Sequence, residues 1–220
     1  MAQEILTPLQ RRFIRLFAAD KTIQKQFYLT GGTALAAYYL KHRYSEDLDF
    51  FSYKSVDILG IDVFLKKVKP SLGISKTDFQ QSYNRNIFFL HTKKEILKTE
   101  FTCYPFEQIE NPLRKDGLAV DSLVDLAVNK AFTISQNPRA RDFIDLYFIL
   151  AGNEKYTLEK LLKLARAKFD AHIDPLQLGI QLLKAKHIQD IPRMVNKIDH
   201  SVWRDYFVRK AKFLSKEIFK

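Results

Sequence analysis

Residues 28–51 read YLTGGTALAAYYLKHRYSEDLDFF. Only seven glycines occur in the chain, and two of them, Gly31 and Gly32, stand side by side here, directly after a short apolar run. Asp-Leu-Asp then follows inside a second apolar run. On a strand successive side chains alternate between faces, so Asp47 and Asp49 project to one side while Leu48 and Phe50 enter the core. Two carboxylates on one face repel each other unless a cation sits between them. Hard divalent ions such as Mg²⁺ take oxygen ligands, commonly one or two carboxylates plus substrate phosphates. Upstream, the glycines join a strand to a helix, where bare backbone lets N–H groups and the positive helix end approach an anion closely. Singly, a Gly-Gly pair reads as a tight turn and an Asp-x-Asp as two exposed acids on a half-buried strand. In the order strand, Gly-Gly, helix, Asp-x-Asp on strand, they predict a polyphosphate gripped at the glycines and at a metal.

Outward from this stretch, TPLQRRFIRLFAAD predicts an opening helix with Thr7 as N-cap and Pro8 at the first helical position. QFYLT reads as a short strand, TALAAYYLKHR as a helix, and DLDFFS as a strand. VDILGIDVFLKKVKPSL is expected to be helical until Pro70. TDFQQSY and NIFFLHT are β-rich runs separated near Asn84-Arg85, and ILKTEFTCYPF is a third such strand. From Asp121 onward DSLVDLAVNKAFTISQ, RDFIDLYFILAG, TLEKLLKLARAKFD, PLQLGIQLLKAKHI and SVWRDYFVRKAKFLSKEIF all carry helical periodicity. The expected fold class is therefore α+β: an N-terminal part with a small mixed sheet flanked by helices, residues 1–115, followed by a helical part, residues 116–220. The absence of a Gly-, Ser- or Pro-rich linker predicts that the two parts pack closely.

The 220 residues contain 36 Lys and Arg against 25 Asp and Glu, a formal net charge of +11, and 46% hydrophobic residues. Residues 151–220 hold 15 of the basic and 8 of the acidic side chains, so the excess lies in the last third. A basic field of this kind attracts polyanions by a salt-sensitive route, or simply solvates the surface. No apolar run approaches the roughly 20 residues of a membrane span. MAQEILTPLQRRF has no apolar signal-peptide core, and the one cysteine, Cys103, builds no disulfide framework. A cytoplasmic protein without membrane contact is expected. The five histidines show no metal-ligand spacing, and neither a GxxxxGK[ST] loop nor a nucleophile elbow is present.

GGTALAAYYLKHRYSEDLDFF resembles the first motif of the DNA polymerase β-like nucleotidyltransferase superfamily, and within it the AbiEii/AbiGii toxin branch related to the MenT toxins. That motif is Gly-Gly or Gly-Ser, a helix, then Asp-x-Asp flanked by apolar residues, here closing as HRxSxDLDFF. DLAVNKAF (125–132) and RARDFIDLY (139–147) are similar to that branch's lysine motif and its Arg-Asp-x-x-Asp-Leu motif. The likeness runs from about Tyr28 to Leu150, and the last 70 residues add little to it.

The resemblance implies transfer of a nucleotide from an NTP to an acceptor hydroxyl, the 3′ end of tRNA in the toxins, with a cognate antitoxin as partner in a toxin–antitoxin or phage-defence pair. It implies that Asp47 and Asp49 are catalytic and hold Mg²⁺ or Mn²⁺, and that Gly31, Gly32, Thr33, Arg43 and Arg141 bind nucleotide. Glu100 becomes the candidate third metal acid, although that acid is more often Asp in the superfamily; otherwise it is a surface strand acid. Lys130 becomes a point charge on the triphosphate rather than a lysine that snorkels to solvent. Asp142 orders Lys130 or contacts nucleotide, unless it is an N-cap, and Arg141 reaches phosphate or pairs with Asp145. His42 and Arg43 are placed at the C-terminal end of the first-motif helix, where cations complement the dipole. On the last helix Trp203, Phe207, Leu214 and Ile218 form an apolar face and Lys212, Lys216 and Lys220 a basic one, which is either solvated or faces RNA. Two rival functions remain: nucleotidyl transfer to a protein acceptor, and a non-catalytic nucleotide- or RNA-binding module.

Overall fold

The structure, a computed structural model, describes residues 4–218, with side chains described through Leu214. The chain divides into two compact units, one ending at Ser122 and one beginning at Leu123.

In the first unit α1 (Pro8–Ala19) opens as its sequence predicts: Thr7 and Gln10 cap one another reciprocally, with Pro8 in the first turn. β1 (Tyr28–Thr30), α2 (Gly31–Leu35) and a π-helical turn (Ala36–Leu40) follow, then β2 (Leu48–Ser52) and α3 (Ile58–Leu72). A meander of β3 (Lys76–Ser82), β4 (Arg85–His91) and β5 (Ile96–Cys103) comes next, and β6 (Leu113–Lys115) with β7 (Leu118–Val120) closes the unit. The strands form one seven-stranded mixed sheet in the order β3-β4-β5-β2-β1-β7-β6. β2 lies antiparallel to β1 and parallel to β5, with Asp49 opposite Thr30 on one side and Glu100 on the other.

This register gives the sheet two unlike faces. Leu29, Leu48, Phe50, Phe88 and Phe101 alternate onto one face, where they are buried with Phe13 and Phe17 of α1 and Phe64 of α3. The Phe17 ring stacks on Phe50 at a centroid distance of 4.4 Å, Phe50 stacks on Phe101 at 5.2 Å, and Phe64 meets Phe17 edge-on. Offset and T-shaped contacts of this kind add to plain area burial. The opposite parity brings Thr30, Asp49, Glu100, Thr102, Lys98 and Arg85 onto the other face.

Three local expectations are corrected. α3 continues through Pro70 to Leu72, because proline in a last turn removes one hydrogen bond, while Gly73 at φ 67° closes the end with Gly73 N–H to Pro70 O and Ile74 N–H to Lys69 O. The first-motif helix stops at Leu40, where Lys41 takes a left-handed conformation at φ 51°. His42 and Arg43 therefore lie beyond the helix. β6 and β7 form a hairpin that carries strand structure past residue 115, where the sequence placed the division. Its turn, Asp116 at φ 50° and Gly117 at φ 79°, is the two-residue geometry that Asp-Gly favours.

The second unit is helical: α4 (Leu123–Gln136), α5 (Ala140–Ala151), α6 (Leu158–Phe169), α7 (Pro175–Leu183), a 3₁₀ turn at Lys184–Lys186, and α8 (His200–Ile218). Trp203 and Phe207 bury the apolar face of α8, with Phe207 4.9 Å from Phe143 of α5. Lys212 is exposed on the other face; Lys220 and the side chains of Lys216 and Ile218, assigned to these faces from sequence, lie outside the described residues. Among the described residues no helix is long and apolar enough to cross a membrane.

Lys168 of α6 and Asp125 of α4 are paired at 2.7 Å with side chains 2% and 0% exposed. A buried pair can be replaced by apolar residues with little loss, but removing one partner strands a charge. Lys168→Met is expected to lower the unfolding free energy of this unit by about 3–5 kcal/mol, measured by urea denaturation followed by circular dichroism.

Candidate active site

Asp47 stands directly before β2 and Asp49 within it, both partly exposed, while Leu48 and Phe50 between and after them are fully buried. The predicted alternation thus holds across the start of the strand. The main chain around Asp47 is fixed from two sides. Gln10 of α1, itself buried, donates through Nε2 to the carbonyls of Ser45 and Glu46 at 2.9 and 3.0 Å. The buried Thr33 hydroxyl donates to the carbonyl of Asp47. Thr33, expected to bind nucleotide, has its hydroxyl committed to holding the acidic segment.

The two glycines are required by close approach. Gly31 sits at φ 73°, a left-handed conformation that L side chains rarely adopt, and a Cβ there would overlap the Asp49 carboxylate. At Gly32 a Cβ would collide with the Arg43 guanidinium and stand 3.2 Å from Ser45 Oγ. Arg43 is 2% exposed and donates from Nη1 to the carbonyl of Tyr44 at 2.9 Å. Gly31, Gly32, Arg43 and Asp49, four of the residues singled out from sequence, therefore pack against one another within the first unit.

Around the acids the structure places cations that the sequence reading passed over. Lys98 Nζ is 2.6 Å from Asp47 Oδ2. Arg85 makes a two-point contact with Glu100, Nε to Oε1 at 2.7 Å and Nη2 to Oε2 at 2.6 Å, and the Thr102 hydroxyl donates to Oε1 at 2.9 Å. Burial pushes the Glu100 carboxyl up, but the Arg85 and Thr102 hydrogen bonds and the Arg85 and Lys98 charges outweigh it and hold it below the usual glutamate range. The Glu100 hydrogen bonds raise the Arg85 guanidinium, against desolvation, and the charges of Glu100, Asp49 and Asp47 add to that rise. Lys98, Glu100 and Thr102 alternate along β5; this period-two spacing is the signal that could have found Lys98.

Asp47 and Asp49 supply hard oxygen donors of the kind a divalent ion takes, and the Lys98 ammonium pairs with Asp47. Glu100, the candidate third ligand, has both oxygens hydrogen-bonded by Arg85. Among the described residues no group of three or more His, Cys, Asp or Glu is arranged to hold a metal.

In the helical unit, Lys130 of α4 reaches two acids of α5, Asp142 Oδ1 at 2.7 Å and Asp145 Oδ2 at 2.9 Å, with all three side chains at most 12% exposed. Lys130 does not snorkel to solvent. Asp142 is the third residue of α5 rather than its N-cap, and its Oδ2 accepts from the N–H of Arg139 at 3.0 Å. Burial pushes the Asp142 carboxyl up, yet Lys130 and the Arg139 N–H hold it below the usual aspartate range. Asp145, offered from sequence as a partner for Arg141, pairs with Lys130 instead.

A sequence model of the family described as "Nucleotidyl transferase AbiEii toxin, Type IV TA system" matches residues 14–213. An uncharacterised protein of Aquifex aeolicus is 30% identical over 197 residues, covering 86% of this chain and 88% of its own. Among solved structures, a Helicobacter pylori protein regarded as a nucleotidyltransferase superposes with a TM-score of 0.60 at 21% identity over 95% of this chain and 92% of the other. MenT4, a nucleotidyltransferase toxin from Mycobacterium tuberculosis, superposes with a TM-score of 0.52 at 16% identity over 94% and 82% of the two chains. At these identities the structures share the fold. The family match spans both units and the sequence relative nearly the whole length, so the chain belongs to the AbiEii nucleotidyl transferase toxin family and is a nucleotidyltransferase.

Proposed function

We propose that the chain moves a nucleoside monophosphate from an NTP to an acceptor hydroxyl at the 3′ end of tRNA, in a reaction that depends on Mg²⁺ or Mn²⁺ held by Asp47 and Asp49. The observation that carries this reading is the clamped acid pair. Gly31, Thr33 and Gln10 all hold the segment so that two carboxylates stand together on the non-core face of the sheet. Lys98 answers Asp47 within the protein, and two partly exposed carboxylates on one face are donors of the kind a divalent cation takes.

The acceptor oxygen attacks the α-phosphorus, the bond to the bridging oxygen breaks, and pyrophosphate leaves with the electron pair. Asp47 and Asp49 would hold the divalent ion, which would supply charge neutralisation at the triphosphate and ease loss of the acceptor hydroxyl's proton to solvent. Asp47 and Asp49 orient that charge. Gly31 and Gly32 give the space beside their backbone to the Asp49 carboxylate and the Arg43 guanidinium, so their part in nucleotide binding is to place those two side chains. Arg141 serves the nucleotide's anionic groups, and Arg43, buried against Gly32, supports the turn that leads to them. Within the helical unit Lys130, ordered by Asp142, offers a cation for a phosphate group. The tRNA acceptor is what the resemblance to the toxin branch implies; the basic excess of residues 151–220 and exposed Lys163, Lys184, Lys186, Arg209 and Lys212 support a phosphate-dense acceptor in general. Family membership supports a toxin neutralised by a cognate antitoxin, acting in the cytoplasm.

The test is a transfer assay with Mg²⁺ or Mn²⁺, each of the four α-³²P-labelled NTPs, and total tRNA or total cell protein. Label on tRNA that disappears in Asp47→Asn and in Asp49→Asn is expected. Label on protein alone moves the acceptor to protein, and none on either, from folded protein, favours a binding module. Gly31→Ala should lose transfer as fully as Asp49→Asn, because the new Cβ displaces the Asp49 carboxylate, while about 1–2 kcal/mol of left-handed strain leaves the circular dichroism spectrum unchanged.

A further inference from the structure

Arg85 is not part of the sequence motifs, yet it stands with the acid pair. It opens β4 opposite Thr102, and Glu100, two residues from Thr102 along β5, is its diagonal neighbour on the same face. Glu100 in turn lies opposite Asp49 in the parallel ladder. The Glu100 side chain is 7% exposed and the Arg85 side chain 50%, so a buried carboxylate holds a half-exposed guanidinium. The contact uses Nε and one edge of Nη2. A guanidinium has five N–H donors in a rigid fork. Three donors, including both on Nη1, are not spent on Glu100, and the charges of Asp47 and Asp49 also reach the guanidinium.

From this arrangement we infer a phosphate-binding subsite built on Arg85, with Glu100 as its positioning residue. Its ligand is a phosphate oxyanion, supplied either by the reacting triphosphate or by the acceptor's phosphodiester backbone. The inference rests on the nucleotidyl-transfer reading for the neighbouring role of Asp47 and Asp49, but the chemistry of the fork stands by itself. A planar fork already oriented by a carboxylate loses little side-chain freedom on binding, and charge-assisted two-point contacts to phosphate are the strong ones. Glu100 thereby takes the sheet position next to Asp49 that a third metal acid would occupy, and uses it to aim a cation. Two acids are left for the metal and one for the arginine.

Binding is read without turnover, by titration calorimetry with inorganic tripolyphosphate and Mg²⁺ and by fluorescence anisotropy with deacylated tRNA, both at fixed ionic strength. Arg85→Met is expected to weaken one of the two at least tenfold, and which one identifies the source of the phosphate. Arg85→Lys keeps the charge, loses the fork, and should recover only part of that affinity. Glu100→Gln should weaken the same ligand, and Arg85→Met/Glu100→Gln should be no worse than Arg85→Met, since Glu100 acts through Arg85. The double variant leaves no charge buried without its partner, and it carries the test if Arg85→Met does not fold. Mn²⁺ binding in the absence of phosphate, followed by electron paramagnetic resonance, should be unchanged in Glu100→Gln and lost in Asp49→Asn. Unchanged affinity for both anions in the double variant overturns the subsite, as does loss of Mn²⁺ binding in Glu100→Gln with Arg85→Met unaffected. Failure of the transfer reading shows elsewhere, as a wild-type protein that binds phosphate but labels no acceptor.

Discussion

The first unit depends on one constraint, that β2 is two-sided and cannot slip. Leu48 and Phe50 are fully buried in an aromatic cluster reaching from α1 to α3, and Asp49 faces the other way. A shift of one residue in the pairing would drive a carboxylate into the Phe17, Phe50 and Phe101 stack and turn the rings toward water. With β1 on one side and β5 on the other, the strand has no free edge along which to move. The hydrophobic effect on one face thus sets the position of charges on the other. Gly31 completes the constraint, because its backbone lies against the Asp49 carboxylate where no side chain fits.

The charges themselves are arranged in a graded way. Asp47 and Asp49 remain partly exposed. Glu100 is buried but ionised, because Arg85 and Thr102 supply three hydrogen bonds to its two oxygens. Asp125, Asp142 and Asp145 are buried more deeply in the helical unit, each against a lysine at 2.7–2.9 Å. Buried ion pairs contribute little net stability compared with apolar packing of the same volume. Lys168 with Asp125 ties α6 to α4, a structural use. Lys130 with two acids of α5 ties α4 to α5, and differs from the Lys168 pair in its second acid and in its residual exposure.

Much of this was legible in the chain. The opening helix followed from Thr7, Pro8 and Gln10 because capping is local chemistry. The same-side projection of Asp47 and Asp49 followed from strand alternation, and the choice of Gly-Gly followed from the need for close approach, although the object approached is Asp49 and Arg43. The β6–β7 hairpin carried a local signal in Asp116-Gly117 that was passed over, since three-residue strands are too short for periodicity to register. Pro70 misled in the opposite sense. A proline near the end of a helix removes a single bond, and the glycine three residues later, not the proline, stops α3.

Sequence by itself determined the acid pair, the glycine turn, the lysine of α4 and the order of elements, because each is written in contiguous residues whose spacing matches a helix or a strand. Only the tertiary structure decided what those groups touch. That Glu100 anchors Arg85, that Lys98 sits on Asp47, that Arg43 packs on Gly32, and that Asp145 answers Lys130 all depend on strand order, register and helix packing. Strand β5 lies beside β2 although more than forty residues separate them in the chain, and no local pattern encodes which carboxylate a distant cation will meet. Electrostatic partners are chosen over a few ångströms in space, and that distance is set by the burial of the opposite face.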